Sequence, residues 1–514
     1  MPTKKSAKAK KTTKKAIKKP QRTRKAAREV RIRMYKQGLG DCFLITFPRR
    51  PKPFHMLVDC GALNSKHYGI KDMQNIVREI QSTLIDEAST GTRKPKRASI
   101  DVVAATHEHW DHISGFYDAH DIFKEFDVEN VWVAWTEEPD NEAARLLKKE
   151  FKKKKQAVAM ALERLPEEKK GDDRLGIYRK AISELFGFFG GFGAKGSGPG
   201  KTEQAWDNLL ALGRNQYCNP KKRPLELQGV EGVRVYVLGP PEDPDYIRMK
   251  LSKKETYDEG RHGLSLSDSF LAAVGSDADV GVEAKERAFP FDQRYRIPPA
   301  DVGKSSFADF FRKYYGSGEK DEGEWRRIDH EWLTMAGELA LHLDSYTNNT
   351  CLAFAIELGE PGKGKVLLFP GDAQVGNWLS WEKLSWQVEN SKGEKQTVKG
   401  HDLLARTVFY KVGHHGSHNA TLRDKGLELM ERDDLVTMIP VHRKTAEDQE
   451  WEFPYAPLWN RLREKARGRV LLADAKGFGD IEKEAGEALT PKEWKSFEKA
   501  TKFELLYVEH RIPY

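Results

Sequence analysis

The chain has 514 residues, of which 39% are hydrophobic and 32% charged, a composition typical of a globular protein with a sizeable core. No stretch approaches about 18 uninterrupted apolar residues, and the N-terminus lacks the apolar middle of a secretory signal, so we expect a cytoplasmic protein without a membrane span. Four scattered cysteines exclude a disulfide framework or a CxxC zinc site, and we expect them to be reduced.

The net charge of +9 is concentrated at the N-terminus. Residues 1–28 contain 13 of the 87 basic residues and no acidic one, so the other 486 residues carry 74 basic against 78 acidic side chains, about −4 in total. This tail is too polar to bury a core and is predicted to be disordered. It is either a tether for a polyanion such as DNA or RNA, or a solvated extension.

Residues 29–136 are predicted to form the first half of a layered α/β domain. Alternating and apolar runs indicate strands, and the spacing of apolar residues between them indicates helices. The first two strands are expected to form a hairpin around Gly38-Leu39-Gly40-Asp41. Strands are predicted over residues 30–35, 42–47, 55–61, 99–105 and 131–135, and helices over 70–87 and 115–125.

Two segments interrupt this order. Residues 137–230 are predicted as a helical and glycine-rich insertion, in which 196–202 resembles a phosphate loop but lacks the preceding strand and is interpreted as a linker. Residues 231–241 hold a core strand, and 242–345 form a second, largely helical insertion. The second half of the α/β fold follows over residues 346–514, with strands predicted at 350–357, 365–369, 408–412 and 435–439.

The clearest chemical signal is Thr106-His107-Glu108-His109-Trp110-Asp111-His112, directly after an apolar strand. His107 and His109 can face the same side of an extended segment, while Asp111 and His112 can turn toward a neighbouring point as a helix begins. One loop can therefore serve two metals. Imidazole and carboxylate ligands suit zinc, with manganese as an alternative. The competing interpretation is a surface cluster of histidines.

Further apolar strands also end in metal-seeking residues. Asp372 follows Leu368-Phe369-Pro370-Gly371, and His414 and His415 follow a strand that ends near Val412. Strand ends are rigid, so side chains from several of them can converge on one point. Asp372 can bridge two ions, and either His414 or His415 can complete one ligand set.

Several short motifs carry a family resemblance through their order along residues 30–135 and 230–470. They are Gly38-Leu39-Gly40-Asp41-Cys42, Leu57-Val58-Asp59-Cys60-Gly61, His107–His112, Leu238-Gly239-Pro240-Pro241, Asn348-Asn349-Thr350-Cys351-Leu352, Leu368–Asp372 and Lys411-Val412-Gly413-His414-His415-Gly416-Ser417. The chain resembles the metallo-β-lactamase superfamily, and more narrowly the branch similar to the hydrolase domain of the competence DNA-uptake protein ComEC.

The resemblance implies an αββα sandwich with a two-metal site at one edge. It implies that His107 and His109 hold the first metal, that Asp111 and His112 hold the second, and that Asp372 bridges them. Asp59 matches a carboxylate that orients a ligand or contacts metal, and Asp111 and Asp59 are the catalytic candidates.

Other positions are supporting candidates. Asp41 matches an acid beside the metal ligands, and Ser417 and Lys411 flank the expected site. The superfamily's usual histidine near Gly239-Pro240-Pro241 is absent, so the pair His414-His415 is expected to supply that ligand. His442 is a candidate for the last one.

The expected cofactor is a pair of divalent ions that lower the pKa of a bridging water and present hydroxide to an electrophile. The predicted function is hydrolysis of phosphodiesters by a zinc-dependent phosphodiesterase or nuclease, because the nearest branch is linked to DNA uptake and the tail would concentrate a polyanion. One alternative is a hydrolase of small esters, lactones or phosphoesters. Another is a non-catalytic binding or scaffold protein with a structural metal.

The run Lys152–Lys155 is either a basic patch or a solvated helix face.

Overall fold

The structure is a computed structural model. It describes residues 28–63, 73–89, 94–163, 200–249, 255–256, 301, 304, 306–315, 343–390, 392–449, 451–481 and 488–514. The predicted disordered tail, apart from Arg28, lies outside the described residues. The glycine-rich segment before Gly200 and most of the second insertion also lie outside them.

Seventeen strands are present in the described residues, and most match the predicted apolar runs. Their bounds are β1 Glu29–Tyr35, β2 Cys42–Phe47, β3 Phe54–Cys60, β4 Ala98–Ala104, β5 Phe126–Ala134, β6 Arg214–Cys218, β7 Leu225–Glu226, β8 Val233–Val237, β9 Phe354–Leu358, β10 Lys365–Phe369, β11 Ser385–Glu389, β12 Lys395–Lys399, β13 Thr407–Lys411, β14 Val436–Ile439, β15 Val470–Leu472, β16 Thr501–Phe503 and β17 Tyr507–Pro513.

The α-helices connect these strands. They are α1 Met73–Glu87, α2 Trp110–Ile113, α3 Gly115–Asp118, α4 His120–Phe123, α5 Glu142–Glu163, α6 Lys201–Leu210, α7 Pro244–Ile247, α8 Ala308–Tyr315, α9 Val375–Ser380, α10 Gly400–Ala405, α11 Arg443–Asp448, α12 Ala456–Lys465 and α13 Pro491–Ala500.

Two mixed sheets pack face to face. The first has the order β16-β17-β1-β2-β3-β4-β5-β6 and the second β15-β14-β13-β10-β9-β8-β7, while β11 and β12 form a separate hairpin. Apolar residues of both sheets share one core, and helices cover the outer faces. Along β4, Val102 and Ala104 face the other sheet and Val103 faces the helices, as the alternation of a strand requires. The chain is therefore an α/β sandwich, as predicted at that level.

The first sheet also contains strands from outside residues 29–136, the predicted first half of the fold. β6 pairs in parallel with β5 although residues 137–230 are predicted as an insertion, and β17 pairs antiparallel with β1. Lys201 and Thr202, predicted within a linker, form the first turn of α6. The predicted hairpin is confirmed, since β1 and β2 pair with Ile32 opposite Ile45.

All four cysteines are buried, and none of them is in a disulfide. Within the described ranges, no helix has both the length and the apolarity needed to cross a membrane.

Candidate metal centre

The ends of strands from both sheets meet at one edge of the sandwich. β3 contributes Asp59, the loop after β4 contributes His107 and His109, and α2 contributes Asp111 and His112. The second sheet contributes Asp372 after β10 and His414 and His415 after β13. Backbone hydrogen bonds join the two halves, since the amide of Leu352 donates to the carbonyl of Thr106 at 2.8 Å. The convergence predicted from the separate motifs is therefore present.

The glycine of the Asp59-Cys60-Gly61 motif lets α2 approach the first sheet. A Cβ on Gly61 would lie 2.4 Å from the carbonyl carbon of Asp111, closer than real Cβ contacts allow. The same stretch of α2 is anchored by the amide of Asp41, which donates to the carbonyl oxygen of Asp111 at 2.9 Å. Because Gly61 has no side chain, α2 can pack this closely and hold Asp111 and His112 in position.

Substituting Gly61 by alanine is expected to destabilise the protein by about 1–3 kcal/mol, because the methyl group would push α2 away. Zinc affinity should fall with it. The measurement is urea unfolding and zinc calorimetry of Gly61→Ala beside Gly477→Ala, where an added Cβ meets nothing within 4 Å. Equal behaviour of the two variants would show that the close approach is unimportant.

Three groups of buried ligand-type side chains lie in this edge, and within each group the ligand atoms are within 4.8 Å of one another. Asp372 belongs to two of them and His112 to two. The groups are His107 with His112 and Asp372, Asp111 with Asp372 and His415, and Asp41 with Asp59 and His112. Buried histidine and aspartate side chains are thus close enough to hold a metal ion. The groupings differ from the pairs that the family resemblance implies, because His107 lies with His112 and Asp111 lies with His415.

His112 is held between two carboxylates. Its Nδ1 is 2.9 Å from Oδ2 of Asp59, and its Nε2 is 3.1 Å from Oδ2 of Asp372. Asp59 is itself fixed by Thr106, whose amide and hydroxyl donate to its two oxygens at 2.7 and 2.8 Å. Burial lowers the pKa of His112, but Asp372 and Asp41 outweigh it and hold the pKa well above its usual value. The role of Asp59 in this geometry is to orient His112.

His415 presents one nitrogen to the centre. Its Nδ1 lies 2.7 Å from the carbonyl oxygen of Pro440, which can only accept, so Nδ1 carries the hydrogen. In the neutral ring, Nε2 then directs a lone pair at Oδ2 of Asp111, 2.9 Å away. Two acceptors at this distance need a cation between them, which is either a proton on Nε2 or a metal. A carbonyl that fixes the tautomer is the usual support of a metal-bound histidine.

Two further buried atoms fit a metal site. Nε2 of His107 and Oδ1 of Asp111 have no hydrogen-bond partner in the part of the chain that the structure describes. Burial lowers the pKa of His107 well below its usual value, so its ring is neutral and can coordinate. Orphaned buried polar atoms are costly, and a bound cation would satisfy both. The residues present therefore fit divalent ions with mixed nitrogen and oxygen ligands.

The side chain of Lys411 places a positive charge next to the buried carboxylates of the site. Its ammonium is almost fully buried, pairs with Asp41 and donates to Oδ1 of Asp372 at 3.2 Å. The amide of His414 donates to the same oxygen at 2.9 Å. Burial opposes ionisation of Asp372, but His112 and Lys411 hold the pKa of its carboxyl well below its usual value. Oδ1 of Asp372 therefore accepts hydrogen bonds from Lys411 and from the amide of His414, whereas Oδ2 faces His112.

Several ligand positions carry backbone strain. Asp59, His414 and His415 have φ angles of 54°, 44° and 53°. These angles lie in the left-handed region, which residues other than glycine rarely adopt. Such conformations cost about 1–3 kcal/mol each and cluster at functional sites. The pair His414-His415 therefore bends sharply, so its two rings take different positions.

The bend separates the two histidines that the sequence leaves as alternatives. His415 joins the group with Asp111 and Asp372, whereas Nδ1 of His414 lies 3.1 Å from the hydroxyl of Ser417. His442 is not brought into any of the three groups. It is the N-cap residue of α11, where its Nδ1 accepts from the amide of Thr445, and its assignment as the last ligand stays a prediction.

The sequence reasoning missed two residues of this edge. Thr106 contacts Asp59 and lies 3.0 Å from Nδ1 of His107. Asp344 lies 4.0 Å from Nε2 of His109, and burial together with the charge of Asp372 raises its pKa to about 7. The signal for Thr106 is its place as the first residue of the histidine motif, directly after the strand. Asp344 shortly precedes Asn348-Asn349-Thr350, a motif that was noticed without it.

Zinc binding is expected to release protons. The raised pKa of His112, and that of His415, which its hydrogen bond to Asp111 raises against burial, mean that the metal must displace protons from these rings. Affinity should therefore fall as the pH falls from about 8 to about 6. Calorimetry in buffers of different ionisation enthalpy measures this release, and a buffer-independent heat would contradict it.

Comparison with known proteins does not extend this description. The chain matches no protein-family model, and no curated protein is significantly similar to it.

Proposed function

We propose that the protein is a hydrolase that uses two divalent metal ions at this edge, with phosphodiesters as its substrates. The observation that carries the proposal is the position of Asp372, whose carboxylate belongs both to the group of His107 and His112 and to the group of Asp111 and His415. A carboxylate shared by two ligand groups suits a bridge between two ions. A single structural zinc needs four closed ligands and no bridging acid.

The ligands would divide between the two groups. His107 and His112 would hold one ion, Asp111 and His415 the other, with Asp372 between them. Divalent ions bound here would supply a water of lowered pKa and would stabilise the negative charge that grows on the attacked group. The chain's own residues keep the ligands in position, because Asp59 orients His112, Pro440 orients His415, and Lys411 with the amide of His414 holds Oδ1 of Asp372.

We further propose that the α/β sandwich is that of the metallo-β-lactamase superfamily. Two facing sheets with helices outside, and ligands at strand ends in the order of the quoted motifs, support this assignment. Zinc is the expected metal because imidazole and carboxylate ligands suit it, and manganese is the alternative.

The test combines metal counting with a substrate panel. The purified protein is loaded with Zn²⁺ or Mn²⁺, and its metal content is measured. Hydrolysis of bis(4-nitrophenyl) phosphate, single-stranded DNA, RNA, a lactone and a carboxyl ester is then followed with and without chelator. We expect two ions per chain and cleavage that chelation abolishes. A single tightly held ion and no cleavage would favour the scaffold alternative. Cleavage of a lactone or carboxyl ester alone would replace the phosphodiester assignment.

A further inference from the structure

A cavity of about 520 Å³ adjoins the histidine loop. Thr106 and His107 line it on the metal side, and helices α5 and α6 of the predicted first insertion line it on the other. Leu147, Phe151 and Lys155 recur at helical spacing, so one face of α5 forms this wall. The insertion therefore contributes directly to the surroundings of the candidate metal centre.

We propose that this cavity is the substrate pocket and that it selects a small phosphodiester bearing an aromatic group; this inference rests on the proposed function. The volume falls within the range of about 300–1,000 Å³ that is typical of small-molecule sites. Three aromatic side chains line the pocket, namely Phe151, Trp206 and Tyr346. The rings of Phe151 and Tyr346 stack at 5.5 Å with an interplanar angle of 18°, which gives a planar ligand group an apolar wall.

The charges of the pocket argue for a single anionic group. Lys148, Lys152 and Lys155 line it, but Lys148 is paired with Glu137 at 2.7 Å. In the part of the chain that the structure describes, no carboxylate pairs with Lys152, which is exposed at the pocket. Its ammonium is therefore available to an anionic oxygen of the ligand.

Carboxylates elsewhere in the lining oppose a long polyanion. Glu108, Glu203 and Asp207 also border the cavity, so the wall alternates in sign. A nucleic-acid strand places a negative charge at every residue and needs a continuous basic track. A diester with one charge needs only the metals and Lys152. The lysine run of α5 is thus in part a pocket wall, with Lys153 on the exposed side as its control.

The experiment measures binding of diphenyl phosphate to the zinc-loaded full-length protein by calorimetry. We expect Lys152→Glu to weaken binding about tenfold and Phe151→Leu about three- to tenfold. The matched control is Lys153→Glu, which makes the same charge change one residue away, at a side chain that does not line the cavity. It should bind within about twofold of the unsubstituted protein. Circular dichroism and zinc content establish that each variant is folded and loaded.

Several binding results would overturn the pocket. They are no binding of diphenyl phosphate, equal losses in Lys152→Glu and Lys153→Glu, or tighter Lys152-dependent binding of a single-stranded oligonucleotide than of diphenyl phosphate. Failure of the pocket is separable from failure of the proposed function. If bis(4-nitrophenyl) phosphate is cleaved equally by all three variants, the hydrolase stands and the pocket falls. If diphenyl phosphate binds in the expected order but no ester is cleaved, the pocket stands and the hydrolase falls.

Discussion

Replacing Asp372 by alanine is expected to lower kcat/KM for a phosphodiester by at least about a hundredfold, because one carboxylate is removed from both ligand groups at once. The two metals would lose their common ligand, and the bound zinc should fall from two ions per chain to one or none. The family resemblance implies that His109 also holds a metal, so His109→Ala is expected to give similarly negligible hydrolysis, although His109 is outside the three groups. The measurements are steady-state kinetics and metal analysis of the same samples.

The control for this loss is Asp121→Ala, because the carboxylate of Asp121 is 95% exposed and pairs only with nearby Lys124 among the ion pairs of the described residues. It should retain the activity and metal content of the unsubstituted protein. Asp372→Ala that stays folded, binds two zinc ions and turns over normally would remove the basis of the proposed function.

Lys411→Met is expected to destabilise the metal-free protein by about 3–5 kcal/mol, since it leaves buried carboxylates without their cation. Asp41 loses its ion-pair partner, and Asp372 loses a donor at 3.2 Å. The measurement is urea unfolding at constant ionic strength. Lys363→Met, at a lysine whose side chain is 68% exposed, should cost less than about 1 kcal/mol.

The same variant should show a changed pH dependence. Burial raises the pKa of Asp41 to about 6 even though Lys411 lowers it, so protonated Asp41 favours folding below its unfolded pKa of 3.8 and this contribution is lost as the pH rises through about 6. Without Lys411 the folded pKa rises further. The destabilisation of Lys411→Met relative to the unsubstituted protein should therefore be smaller at about pH 5 than at about pH 8. An equal loss at both pH values would contradict the placement of Asp41 beside Lys411.

Strand ends were the most predictable part of this molecule. β4, β10 and β13 are short apolar runs, and residues of metal-binding type come shortly after each of them. Local sequence therefore indicates both the end of a strand and the chemical character of the loop beyond it. The bend at His414 and His415 places His415, and not His414, in one of the three candidate groups, and no residue-type pattern indicates that bend.

Features that depend on packing could not be read in this way. β6 begins with exposed Arg214 and Asn215, so it lacks the apolar run of a buried strand and was assigned to an insertion. His442 comes after a strand as the residues of the candidate ligand groups do, but its ring accepts a hydrogen bond in a helix cap. The sequence also does not predict that α5 forms a wall of the cavity, because a lysine-rich helix can have the same sequence whether it faces solvent or a ligand.

The pairing of β1 with β17 has a consequence for biosynthesis. Tyr35 lies opposite Tyr507, so β1, an inner strand of the first sheet, pairs with a strand that follows all the other described strands in the sequence and is synthesised after them. Until then the nascent polypeptide exposes an unpaired edge, which is a template for association with other chains. A chain truncated before Tyr507 should therefore aggregate, even though all residues of the three candidate ligand groups precede that point.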